Sequence, residues 1–173
     1  MFLYLNNSEA GDRLPVEGLR PPLLVFIIRE TLKISFRDEN KMLLFEYPTI
    51  YIVNDKNSDG YSVYVGETTD IVRRTNQHLG EIREDWMKFS KSNTTKMFVI
   101  GHHHFNKSLT LDIENRLMLY LLSVDNVSNV QNRRGNPQNK YYTSDELDEI
   151  FTKIWSSLNK KNKYLFPAES IVR

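Results

Sequence analysis

Two tyrosines, an arginine, a histidine and a glutamate hold most of the chemistry this sequence offers. Tyr51 closes the run Thr49-Ile50-Tyr51, and Tyr64 opens Tyr64-Val65-Gly66. Arg74 and His78 are four residues apart, so on a helix they share a face. Glu114 falls among Leu111, Leu117 and Met118 on one helical face. Phenol, imidazole, guanidinium and carboxylate are the side chains of proton transfer and of ion binding. Taken singly, each also has an ordinary structural role. The tyrosines suit a cross-strand pair, Arg74 and His78 a solvated helix face, and Glu114 a salt bridge at a helix edge.

The elements that must position these groups are legible from their periods. Thr49–Val53 is β-branched and aromatic, Asn57-Ser58-Asp59-Gly60 is a turn, and Ser62–Gly66 alternates, which predicts a hairpin. If Ile50 and Ile52 face the core with Val63 and Val65, parity puts Tyr51 and Tyr64 together on the opposite, outward face. Asp70–Leu79 reads as a helix capped by Thr69 or Asp70, with Val72, Thr75 and Leu79 as its buried stripe. A second helix is expected near Ile82–Phe89 and a third strand at Lys96–Gly101. Leu109–Ser123 follows as a helix, with Ser108 as its cap and Asp112 in its first turn. Val127–Gln131 is a candidate short strand, Asn132–Pro137 a turn, and Ser144–Leu158 a final helix. Residues 1–22 are rich in turn formers. Residues 23–36 fit either period, and a helix over 23–34 is the expectation.

Composition bounds the answer. The chain has 173 residues, 40% hydrophobic and 26% charged, as a globular domain should. No cysteine is present, which removes thiol nucleophiles, disulfides and thiolate zinc sites, and fits a reducing, cytoplasmic setting. Lys and Arg total 23 against 22 acids, a net charge of +1. Residues 127–173 carry eight basic and five acidic side chains, a balance that would suit a polyanion beside them. No apolar run reaches the ~18 residues of a membrane span. The run His102-His103-His104 makes a poor chelate, since neighbours on a strand point to alternate faces, and it reads as polar loop surface.

Taken in order, the motifs resemble the GIY-YIG nuclease superfamily. The likeness covers residues 49–132: Thr49-Ile50-Tyr51, then Tyr64-Val65-Gly66-Glu67-Thr68, then Arg74, His78, Glu114 and Asn132. Thr49 stands where the family usually has glycine, Val65 where it has isoleucine, and Asp70 where asparagine is frequent. The stretch Phe105–Glu114 looks closest to N-terminal nuclease domains found ahead of P-loop ATPase or helicase-like regions in bacterial proteins. No GxxxxGK[ST] motif occurs in this chain.

The resemblance implies an α/β fold. It would have a small central, mostly antiparallel three-stranded sheet flanked by helices, with an N-terminal arm or helix and a C-terminal helix. The corresponding division is an arm at 1–45, a nuclease core at 46–140 and a C-terminal helix and tail at 141–173. The tail Tyr164-Leu165-Phe166-Pro167 is expected to pack on a further domain. The implied activity is metal-dependent endonucleolytic hydrolysis of phosphodiester bonds, with DNA favoured over RNA. The alternative is a non-catalytic nucleic-acid-binding or docking module serving an attached ATPase.

In the catalytic reading, Tyr51, Tyr64, Arg74, His78, Glu114 and Asn132 form the site. Glu114 would hold Mg²⁺ or Mn²⁺. Arg74 would neutralise the phosphate, and Tyr51 would activate water, with Tyr64 and His78 as alternatives for the base. Asn132 would orient the phosphate or brace Glu114, and Lys107, Arg133 and Arg134 would contact backbone phosphates. The Tyr51, Tyr64, Arg74 and Glu114 head groups are expected to converge on one cleft. A Glu114 on the far side of the sheet from the tyrosines would break this reading.

Overall fold

The computed structural model describes residues 46–74, 89, 94–132 and 144–168, together with the backbone of 24–29. Five strands form one sheet: β1 (Leu24–Arg29), β2 (Thr49–Asn57), β3 (Gly60–Thr68), β4 (Lys96–Gly101) and β5 (Val127–Val130). Their spatial order is β1-β4-β2-β3-β5. Two longer helices are α1 (Lys107–Leu122) and α2 (Ser144–Lys161).

The sheet is larger than the three strands expected. Residues 24–29 form a strand antiparallel to β4, where a helix was anticipated. An apolar run this short satisfies either period, and the free edge of β4 settles the choice by offering a backbone partner. β5 adds a parallel neighbour to β3, so the sheet is mixed.

β2 and β3 pair with Ile52 opposite Val65 and Tyr51 opposite Gly66. That register gives two dissimilar faces. Ile50, Ile52, Val63, Val65, Phe98 and Ile100 lie on one, in a core shared with Leu109, Ile113, Leu117 and Leu121 of α1 and Phe151, Ile154 and Leu158 of α2. Tyr51, Val53, Met97 and Val99 lie on the other and are also buried. Burying each large apolar side chain is worth about 1.5–3 kcal/mol, which is what holds the register against a slip.

Strand directions explain where α1 runs. β4 is antiparallel to β2, β2 to β3, and β5 is parallel to β3. β4 and β5 therefore point the same way with two strands between them, and α1 must cross the isoleucine face to join them. Its cap is Asn106, whose Oδ1 accepts from the Leu109 N–H at 3.0 Å. The helix thus begins at Lys107, two residues earlier than expected. Ser108 lies inside it, and Asp112 falls beyond the first turn.

α2 runs to Lys161, with acids in its first turn and lysines in its last, as the dipole favours. The tail beyond it folds back on the same domain, in place of the expected outside partner. Asn162 Oδ1 accepts from the Tyr164 and Leu165 N–H groups. Leu165 and Phe166 are fully buried, and the Phe166 ring meets Phe98 edge-on at 5.3 Å. Trp155 and Asn159 donate to the Pro167 and Phe166 carbonyls.

Candidate active site

The site is built around the second half of β3. Tyr51 and Tyr64 sit diagonally across the hairpin on one face, rings stacked at 6.1 Å and 16°. Parity therefore places both as the sequence requires, but Tyr51 is 1% exposed, not outward-facing, while Tyr64 is half-buried. Gly66 is the reason Tyr51 can lie flat. A Cβ at that position would stand 2.4 Å from the Tyr51 Cζ and hydroxyl, so the phenol occupies the space a side chain would take.

Beyond β3, Asp70 Oδ1 accepts from the Arg73 N–H at 2.8 Å and starts a helical turn at Ile71–Arg74. Asp70 is the cap, and Ile71 is the buried residue of that turn, where Val72 was expected. The turn brings half-buried Arg74 within electrostatic reach of Tyr51.

The Tyr51 phenol is held strongly in its protonated form. Burial is the main cause, reinforced by Tyr64 and Glu114, and Arg74 alone works against it. The expectation that Tyr51 activates water therefore meets a group whose proton is retained by desolvation and a hydrogen bond with Tyr64.

Glu114 is half-buried on α1. Its carboxyl is pushed up to about 7, first by desolvation and next by the charge of Glu67, while Lys107 and Arg74 pull it down. Because α1 packs on the isoleucine face, its helix and the tyrosines lie on opposite faces of the sheet. The expected convergence of the four head groups on one cleft turns on where the Glu114 carboxyl reaches, not on the face its helix covers. Glu114 is still not isolated from the tyrosine side, since its charge acts on Tyr51 and that of Arg74 acts on both. β5 pairs with β3 only at Tyr61–Val63, so among the described residues no strand flanks Val65–Thr68 on that side.

Asn132 fills part of that gap. Its Oδ1 accepts from the Val65 N–H at 3.1 Å and its Nδ2 donates to the Val65 carbonyl. Both ends of the amide are spent on the backbone between Tyr64 and Gly66. The contacts of Asn132 thus brace the strand that carries Tyr64.

Lys107, expected to meet phosphate, is ion-paired with Glu67. His78, Arg133 and Arg134 lie outside the described residues, as does the helix near 82–88; Phe89 is helical and buried. Of the histidine run, His102 is buried, against the expectation of polar surface. Its Nδ1 accepts from the His104 N–H at 3.1 Å, closing the turn into α1.

Sequence reasoning missed Glu67. The signal was present: it follows Tyr64-Val65-Gly66 directly, and strand parity puts it on the face that α1 crosses. Among the described residues, no three His, Cys, Asp or Glu side chains converge as a ready metal cage, and no helix is long and apolar enough to cross a membrane.

Residues 47–123 match the family model described as the GIY-YIG catalytic domain. That segment runs from two residues before β2 to one residue past α1, and it contains Tyr51, Tyr64, Arg74 and Glu114. No curated protein and no solved structure matches the chain. The mixed sheet with flanking helices is consistent with that domain, a nuclease-type fold whose typical activity is phosphodiester cleavage.

Proposed function

We propose that this chain is a metal-dependent endonuclease that hydrolyses phosphodiester bonds in nucleic acid, with DNA favoured over RNA. The observation that carries the reading is the Tyr51–Tyr64 ring stack over Gly66, with Arg74 and Glu114 near enough for their charges to act on Tyr51, all within the segment matching the GIY-YIG catalytic domain.

The donor set fits a hard divalent cation, Mg²⁺ or Mn²⁺. Burial first, and then the charge of Glu67, push the Glu114 carboxyl up to about 7, and Glu67 has a buried Oε2 with no hydrogen-bond partner among the described residues. Both are features that a cation would relieve. Glu114 would hold the ion, which supplies Lewis-acid stabilisation of charge on the phosphate oxygens.

The chain's own residues do the rest. Arg74 offers its planar fork to the phosphate, where charge grows as water attacks. Tyr51 keeps its proton and orients Tyr64 through their shared hydrogen bond. Tyr64, the more exposed of the pair, meets the water, and base work falls to Tyr64 or His78. Asn132 fixes the strand that carries Tyr64. The subgroup likeness adds an ATPase or helicase-like partner, in cis or in trans, which co-purification with the products of neighbouring genes would reveal or dismiss.

The test is cleavage of plasmid, single-stranded DNA and RNA in Mg²⁺, with a chelator control and Glu114→Gln. The amide keeps the shape and removes the charge, so cleavage should fall to background while nucleic-acid binding persists. Metal-independent cleavage, or a folded Glu114→Gln protein that cuts at the normal rate, would sink the reading.

A further inference from the structure

Glu67 is placed where a carboxylate is costly. Strand parity turns it toward the face crossed by α1, and its side chain is only 9% exposed. Lys107 Nζ pairs with Oε1, but Oε2 is buried with no hydrogen-bond partner among the described residues. A buried charged oxygen left unmatched is disfavoured by its lost hydration. Of the charges around Glu114, that of Glu67 acts most strongly. Lys107 is itself oddly placed, because a cation in the first turn of a helix opposes the dipole. Its position makes sense as a counter-ion for Glu67.

We propose that Glu67 and Glu114 together form a two-carboxylate site for a divalent cation, with Lys107 standing in as the counter-ion of Glu67 when no metal is bound. The proposal deepens the nuclease reading and rests on it for the use to which the cation is put. Two carboxylates are enough, since Mg²⁺ and Mn²⁺ sites commonly fill the remaining positions with water and phosphate oxygen. Metal entry would free Lys107 from Glu67, leaving its ammonium available to a phosphate. The free protein therefore carries a lysine that competes with the metal for one ligand.

That competition gives a test by sign. If the Glu67–Lys107 pair only ties β3 to α1, then Glu67→Gln and Lys107→Met should act alike, because each removes the same ion pair. If Glu67 is a metal ligand, they should act in opposite directions. The readout is Mn²⁺ binding to the nucleic-acid-free protein, followed by the electron paramagnetic resonance of free Mn²⁺. It is made at pH 8, above the Glu114 value of about 7.

Glu67→Gln should weaken binding ~10-fold or more, the scale on which even outer partners of metal ligands act. Lys107→Met should tighten it. Wild-type affinity in a folded Glu67→Gln protein, or weakening by Lys107→Met, would overturn the proposal. Glu67→Asp keeps the charge and shortens the reach, so weaker Mn²⁺ binding in that variant marks Glu67 as a ligand. Wild-type binding marks it as a nearby charge only, which overturns the proposal; the same variant serves should Glu67→Gln fail to fold.

A parallel cleavage assay separates the two readings. Mn²⁺ binding that needs both glutamates, without cleavage of any nucleic acid, keeps the cation site and removes the nuclease. Cleavage that needs Glu114, with Mn²⁺ binding indifferent to Glu67, keeps the nuclease and removes the second ligand.

Discussion

The two halves of β3 are built on different terms. From Tyr61 to Val63 the strand lies between β2 and β5, and Gln131 N–H continues the ladder onto the Val63 carbonyl. The tail after α2 closes over this end, with Asn162 Nδ2 donating to the Tyr61 hydroxyl at 3.4 Å. From Val65 to Thr68 the strand keeps β2, and among the described residues its other side is met by one asparagine amide. Every candidate catalytic group among the described residues stands on or beside this second half. Stability should therefore be concentrated at one end of the strand and chemistry at the other.

The largest expected effect tests the closed end. Phe166→Ala empties a fully buried ring site between Phe98 and Trp155, and should cost about 3–5 kcal/mol. Denaturant unfolding would show the loss, while cleavage per folded molecule should hold. A drop in specific activity would mean that the two ends are not independent.

Gly66→Ala sharpens the contrast from the open end. Its Cβ must displace the Tyr51 ring, an overpacking cost of about 1–3 kcal/mol. Cleavage should fall on the order of 10²-fold, as small misplacements of reacting groups do. Melting and rate measured on the same sample would show whether activity falls further than stability explains.

A third effect is electrostatic. The Glu114 carboxyl lies near 7 in the fold against an ordinary 4.5, so the native state holds that proton more tightly than the unfolded chain. The associated stability is fully present below about 4.5 and is lost as pH rises toward 7. After allowance for its partial exposure, the change is up to ~2 kcal/mol in metal-free protein. Glu114→Gln should flatten that part of the stability–pH curve. An unchanged slope would place the titration elsewhere.

Asn132→Ala should be the mildest in stability, ~1 kcal/mol, because the Val65 N–H and carbonyl it serves can recruit water. Its signature is kinetic: kcat should fall with KM little changed, since the strand carrying Tyr64 loosens while the phosphate contact proposed for Arg74 is untouched. A rise in KM alone would instead make Asn132 a substrate contact.

Local pattern determined much of this protein. Alternation in Ile50–Ile52 and Val63–Val65 set the hairpin parity that pairs Tyr51 with Tyr64, because a strand's side chains have a period of two and only one face can be buried with them. Helical spacing of Phe151, Ile154 and Leu158 announced α2 for a similar reason. The order of Tyr51, Tyr64, Arg74 and Glu114 was enough to suggest the family.

Tertiary structure decided the remainder. Leu24–Arg29 became a strand because β4 had a free edge, a fact with no local signal. The burial of Tyr51, the backbone duty of Asn132 and the meeting of Glu67 with Lys107 join residues distant in sequence. Their energies depend on desolvation and on which partner arrives, and neither quantity is written in the spacing of a single segment.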